Sequence, residues 1–208
     1  NLRSEGYEYL VDYGAMSKSL VTAGLAQRPR VGVEYPAIRG VGRFEAAHFD
    51  RESWKPDYPN PAFERLTPQD GFWGAKIVMR FSDAHIRAAV ETAEFTDPQA
   101  NDYMTRTLCE RRDRVGRYWF GQVNPLDEFQ VGLAAGTAAL SFVDLAVRYR
   151  FESARSYRAE VAVPAERVRT LDVTAPSVPL GAVPATGLVE VTIRSARSKG
   201  WTPAVHVT

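Results

Sequence analysis

TPQDGFWGAKIVMRFSDAHIRAAVETAEFTDPQANDYMTRTLCERRDRVGRYWF, residues 67–120, holds three helix starts in succession. Thr67-Pro68-Gln69-Asp70 opens the first, Ser82-Asp83 the second and Thr96-Asp97-Pro98 the third. A Ser, Thr or Asp side chain satisfies free N–H groups at a helix start, and Pro is tolerated in the first turn. The pattern predicts helices over 68–81, 83–94 and 98–120. In the first, Phe72, Ala75, Val78 and Met79 make one face, flanked by Trp73, Ile77 and Arg80. Such broad apolarity predicts burial on more than one side. In the second, Ile86, Ala89, Val90 and Ala93 fall together, and Arg87 and Glu91 stand four apart as an ion pair. In the third, Met104, Leu108, Val115 and Trp119 form a stripe opposite a run of charge. Asn124-Pro125 ends it.

Upstream, Met16, Leu20 and Val21 recur at helical spacing, which predicts a helix over about 10–23 with Gly24 as its stop. Residues 26–66 are punctuated by Pro29, Pro36, Pro56, Pro59 and Pro61, so no long regular element is expected there. The same segment carries Tyr35, Phe44, Phe49, Trp54, Tyr58 and Phe63. It reads as an aromatic strap laid over a core. After Pro125 the period changes to two. Runs around Phe129–Val131, 139–143, 157–163, 168–173, 188–193 and 204–207 alternate apolar with polar residues, as half-buried strands do. Ala175–Leu180, with two prolines, reads as a bend or loop. The fold class is therefore α+β. A helical region with its strap fills 1–124, and a small antiparallel β-sandwich of fibronectin or immunoglobulin style fills 125–208.

Composition narrows the function. The chain has 208 residues, net charge +1 and one cysteine, Cys109. A near-neutral chain is a poor general partner for nucleic acid. No intrachain disulfide is possible, which does not fix the compartment. No apolar run reaches the length of a membrane span. The chain starts at Asn1 rather than Met, as a processed product or a fragment does.

No complete catalytic constellation emerges. Arg111, Arg112, Arg114 and Arg117 form the densest charge cluster and are candidates for gripping a phosphate or a partner's acidic surface. The plainer readings are a solvated helix face or a clamp onto the 51–63 strap. Trp54, Tyr58, Trp73 and Trp119 are candidates to line a pocket or, more simply, to pack core and strap. His48 and His85, with Asp50, Asp57 and Asp83 nearby, lack the fixed spacing of a metal hydrolase. Cys109 lies mid-helix without a visible base and reads as a small buried residue. His206 sits in a strand pattern and is expected to face solvent. Gly40-Val41-Gly42-Arg43 lacks the helix start and Lys-Ser/Thr of a phosphate loop and reads as a turn.

One wider resemblance is present. Glu5–Asp12, Val41-Gly42-Arg43-Phe44-Glu45, Trp54–Phe63, Phe72-Trp73-Gly74-Ala75-Lys76, Phe81-Ser82-Asp83, Ile86-Arg87, Arg111-Arg112-Asp113 and Asn124-Pro125-Leu126-Asp127 resemble the C-terminal half of a group of uncharacterised bacterial kinase-like proteins. The match extends to Asp144-Leu145-Ala146-Val147. In that group a kinase-like Asp…Asn segment and an Asp-Phe-Gly motif lie upstream. The resemblance implies that Asn1 falls just after that motif, and that Asp12-Tyr13-Gly14 is not the metal-binding one. No nucleotide cradle, Lys or Mg²⁺ ligand of phosphoryl transfer is found in this chain, so no catalytic residue is carried over.

The expectation is a non-catalytic C-terminal portion of a kinase-like protein. It would need no cofactor and no metal, and would act as a scaffold or docking module for its upstream half or a protein partner. The interaction candidates are Arg111, Arg112, Arg114, Arg117, Trp54, Tyr58 and Trp73. The alternative is a standalone extracytoplasmic structural or binding subunit. An independent hydrolase is the least favoured reading. Sandwich domains are common outside the cytoplasm, and fold-level analogy favours a periplasmic or extracellular location.

Overall fold

Local capping chemistry fixes the helices. In the computed structural model, Thr67 Oγ1 accepts from the Asp70 N–H at 3.2 Å, and Asp70 Oδ2 accepts from the Thr67 N–H at 3.0 Å. This reciprocal box starts α3, Pro68–Met79. A second box, Ser82 with His85, starts α4, Asp83–Glu91. Asp97 Oδ1 accepts from the Gln99 N–H at 2.9 Å at the head of α5, Pro98–Gln122. Two shorter helices precede them: α1, Tyr13–Val21, which gives way to Gly24 at positive φ, and α2, Pro61–Glu64, capped by Asn60. Described residues are 11, 13–25, 33–50, 54, 56, 58–134, 137–153, 156–164, 166–182 and 188–208. The part of the expected first helix before residue 13, Val11 excepted, lies outside them.

Two units are present, Asn1–Gly116 and Arg117–Thr208. The last turns of α5 belong with the strands, and the expected 124/125 boundary falls just after that helix ends.

In the first unit, burial differs from the periodic expectation. Gly71, Ala75 and Met79 are the buried side of α3, while Trp73 is 66% and Ile77 42% exposed. The helix is thus buried on one side, not several. In α4, Ile86 and Val90 are buried and Ala89 is exposed. Arg87 pairs with Asp102 of α5 at 3.2 Å rather than with Glu91. Along α5 the expected stripe of Met104, Leu108, Val115 and Trp119 is half-buried. Ala100, Thr105, Thr107 and Gly116 are buried more deeply. Small residues let neighbouring chain approach where long side chains would hold it off.

The second unit holds eight strands among the described residues: β1 Leu126–Ala134, β2 Thr137–Asp144, β3 Ser156–Ala162, β4 Arg169–Val173, β5 Ser177–Gly181, β6 Glu190–Arg197, β7 Gly200–Trp201 and β8 Val205–Val207. A four-residue helix, α6, Leu145–Arg148, follows β2. One sheet has the order β1-β2-β5. The other runs β4-β3-β6-β7, with β8 also on β6, and the pairings are antiparallel. Alternate residues of both sheets meet in one core: Leu140 and Phe142 from β2, Val178 and Leu180 from β5, Tyr157 and Val161 from β3, Val191 and Ile193 from β6.

β5 corrects the expectation of a loop over 175–180. Val178 and Leu180 point inward while Pro179 stands exposed between them. β5 pairs only with β2 in its sheet, and an edge strand tolerates a residue without an N–H. A bulge between Asp127 and Gln130 puts Glu128 at positive φ, where its carboxylate takes both arms of the Arg148 fork at 2.5 and 2.9 Å.

The caps make a stability prediction. Thr67→Ala removes one half of the α3 box and should cost about 1 kcal/mol by urea unfolding. The Thr67 hydroxyl, then its N–H, holds the Asp70 carboxyl below the usual carboxylate range. The Arg112 hydrogen bond does the same for Asp83. Folding therefore favours the ionised forms. Their contribution is present above the unfolded value of about 3.9 and is lost as pH falls through the lower folded values. Helical circular dichroism should fall on acidification, and an Asp70→Asn, Asp83→Asn variant should show a weaker pH dependence.

Candidate functional site

Both α1 and α3 of the first unit expose apolar side chains, and those of α3 adjoin a groove. Trp73 and Ile77 are one turn apart on the outer side of α3, and Phe81, 54% exposed, follows the helix end on the same line. Phe81 also forms one wall of a groove of about 370 Å³. Val78, Ile86, Ala89, Leu108 and Val115 complete its apolar lining. The stripe and the groove thus share a residue. Contiguous apolar surface of this kind on a folded unit marks an interaction site more often than chance exposure does.

Arginines hold the rim in place. Arg112 is 13% exposed, and its Nη1 donates to the Phe81 carbonyl at 2.8 Å and to Asp83 Oδ1 at 2.7 Å. Its Nε donates to Asp113 Oδ1 at 2.8 Å. This ties the end of α3 and the start of α4 to α5. Arg111 also lines the groove and reaches to the strap. Its guanidinium lies 3.9 Å from the Phe44 ring centre and 4.8 Å from that of Phe49, and Nε donates to the Glu45 carbonyl at 2.6 Å. The Tyr103 hydroxyl donates to the Phe44 carbonyl at 2.8 Å. The strap is therefore pinned at 44–49 through rings and carbonyls. Of 51–63, residues 51–53, 55 and 57 lie outside the described residues. Arg111→Ala should destabilise the first unit by about 2 kcal/mol and raise amide exchange at Phe49; Arg111→Lys, which lacks the plane and the fork, should not restore it.

The remaining candidates are dispersed. Arg114 is half-buried. Trp54, 42% exposed, meets Phe63 edge-on at 5.1 Å, and Tyr58 is exposed. Arg117 belongs to the second unit, where it lies over the Phe151 ring at 4.7 Å and donates to the Phe151 carbonyl at 3.2 Å. The arginine cluster is contiguous in sequence but divided by the helical turn among separate tasks.

His85 serves as the third residue of the α4 cap, its Nδ1 accepting from the Ser82 N–H at 3.4 Å. His48 Nδ1 lies 3.5 Å from Glu45 Oε2. His206 is exposed, with Nδ1 3.1 Å from the Thr192 hydroxyl. Among the described residues no three His, Cys, Asp or Glu side chains are grouped to hold a metal. Cys109 is half-buried, and burial, then the Asp83 carboxylate, push its thiol pKa up. That is the opposite of an activated nucleophile.

The second unit contains a buried polar knot that periodicity does not reveal. Asp144 caps α6 by accepting from the Ala146 and Val147 N–H groups at 3.1 and 3.3 Å. Its other oxygen accepts from the Tyr157 hydroxyl at 3.0 Å and Arg197 Nη2 at 2.5 Å. Burial, then the Asp144 charge, push the Tyr157 pKa well above that of a free phenol, so it donates as a neutral hydroxyl. Nearby, Asn124 donates to the Ile193 carbonyl at 3.1 Å and accepts from the Ser195 hydroxyl at 2.7 Å. This stitches the chain after α5 to β6.

No family model matches the chain, and no curated protein matches it. A solved structure titled "Myokine structure" aligns with 39% of this chain and 89% of that chain, at 19% identity and a TM-score of 0.32. A likeness that slight carries no argument.

Proposed function

We propose that this chain is a non-catalytic docking module, the C-terminal portion of a kinase-like protein, whose α3–α4–α5 groove receives an apolar helix from the upstream part of the same polypeptide. The observation that carries this reading is the apolar line of Trp73, Ile77 and Phe81 running into the groove. An amphipathic helix laid in such a groove buries its anchors at positions i, i+3 or i+4, and i+7. The arginine-pinned rim gives the groove walls that hold their shape before the helix arrives, which lowers the ordering cost of association.

We read the second unit as a fibronectin-like sandwich. The three-strand and five-strand sheets around one core support that reading. That architecture also favours the second reading, an extracytoplasmic structural or binding subunit, because such domains are common in surface proteins.

Intact mass of the native polypeptide, with co-purification, tests the choice. The first reading expects a longer chain or a tightly held N-terminal half. A native polypeptide of this length without a companion half would leave the second reading standing.

A further inference from the structure

We propose that β1 is a docking edge for a second copy of this chain, the two β1 strands pairing antiparallel across a twofold axis at Gly132. The edge belongs to the second unit, and the inference does not rest on the docking reading. In its sheet β1 borders only β2. Ala134 and Thr137 are the last pair before the β1–β2 turn, and such a closing pair exchanges backbone hydrogen bonds. By alternation Gly132 and Gln130 also bond to β2. The N–H and C=O groups of Val131 and Leu133 therefore point away from β2, where no strand lies among the described residues.

The side chains of the same two residues are uncovered too. Val131 stands opposite Leu140 and Leu133 opposite Ala138, and both partners are buried. Directly opposed residues share a face, so Val131 and Leu133 lie on the core side of their sheet. They are nevertheless 62% and 74% exposed. The sandwich is open along β1. Its other edges are guarded: β5 carries Pro179, β4 carries Arg169 and Asp172, and β7 and β8 have only two and three residues. Proline, charge and shortness keep an edge from pairing with another chain. The bulge in β1 ends at Gln130, and the run Gln130-Val131-Gly132-Leu133-Ala134 beyond it has neither proline nor charge.

Charge and symmetry select the occupant. A twofold pairing centred on Gly132 sets Val131 against the partner's Leu133, and Leu133 against the partner's Val131. The run is uncharged, so no charge meets its like, as it would in self-pairing of a guarded edge. Both Val–Leu pairs fall where the free backbone groups are, so they exchange N–H···O bonds. The two glycines meet at the alternate position, without hydrogen bonds, where antiparallel strands approach closest. The same surface serves both copies, as a closed dimer requires. The contact is short, so the dimer is weak and reversible.

Sedimentation equilibrium of the whole chain tests this, from about 1 μM to about 1 mM, the range suited to a small interface. A monomer–dimer equilibrium is expected. Val131→Lys and Leu133→Glu, each at an exposed side chain, should weaken it about tenfold or more, because each seats a charge in the pairing face. Mixed in equal amounts, the two variants should dimerise again, because the register sets the new amine against the new carboxylate. Ile77→Asp, on the α3 stripe, should dimerise like the parent. Unchanged β3 and β6 amide exchange establishes that the variants are folded. The proposal is overturned if the parent stays monomeric, if association runs past two copies, if both folded edge variants dimerise like the parent, if their mixture stays monomeric, or if Ile77→Asp abolishes the dimer.

Discussion

Asp144→Ala should destabilise the β unit by about 3–5 kcal/mol, the usual cost of stripping one partner from a buried ion pair. The carboxylate is 3% exposed at its side chain and accepts four hydrogen bonds: two from the head of α6, one from Tyr157 and one from Arg197. Truncation leaves the Arg197 guanidinium enclosed with no counter-charge and the Tyr157 hydroxyl with no acceptor. Folded domains are stable by only about 5–15 kcal/mol, so the loss is a large share of the total. Urea unfolding monitored by amide exchange in β3 and β6 isolates this unit from the helices. The double variant Asp144→Ala, Arg197→Met should recover part of the loss, because it removes the stranded charge as well. A double variant as unstable as the sum of the two single ones would mean that the pair is not coupled.

Ile193→Ala should cost about 2–5 kcal/mol, and Ile193→Val about 0.5–1.5 kcal/mol. Ile193 is fully buried at the centre of β6, paired with Ala159 of β3 and Val205 of β8. Its carbonyl also receives the Asn124 side chain. The deleted atoms face a core to which both sheets contribute, so the void has little slack to collapse into. A graded response, with unchanged denaturant sensitivity, is the signature expected of lost packing.

What the sequence disclosed follows the range of each interaction. The Thr67–Asp70 and Ser82–His85 caps span three residues, so the helix starts were legible. The second box uses His where Glu or Gln is the familiar partner, so the sequence shows only its Ser82-Asp83 start. Alternation disclosed most strands, because each inward residue sees the same core. The β5 sequence reads as a loop, since Pro179 is a breaker unless the strand is known to lie at an edge. The exposure of Trp73 and Ile77 could not be read from α3 alone, because an apolar residue carries no mark of whether a partner covers it. The Asp144–Tyr157–Arg197 knot joins residues far apart in sequence and has no local signature. Arg111 and Arg112 are adjacent in the chain and both line the groove, yet their guanidinium groups bond to the strap and to the α3–α4 junction respectively, as successive residues on a helix point about 100° apart.

The central claim is that the Trp73–Ile77–Phe81 line is covered in the native polypeptide. Hydroxyl-radical footprinting of Trp73 measures this directly, comparing the native polypeptide with this chain alone. The docking account predicts strong protection of Trp73 in the native polypeptide, lost in an Ile77→Asp variant that remains folded. Equal labelling of Trp73 in both samples would contradict it.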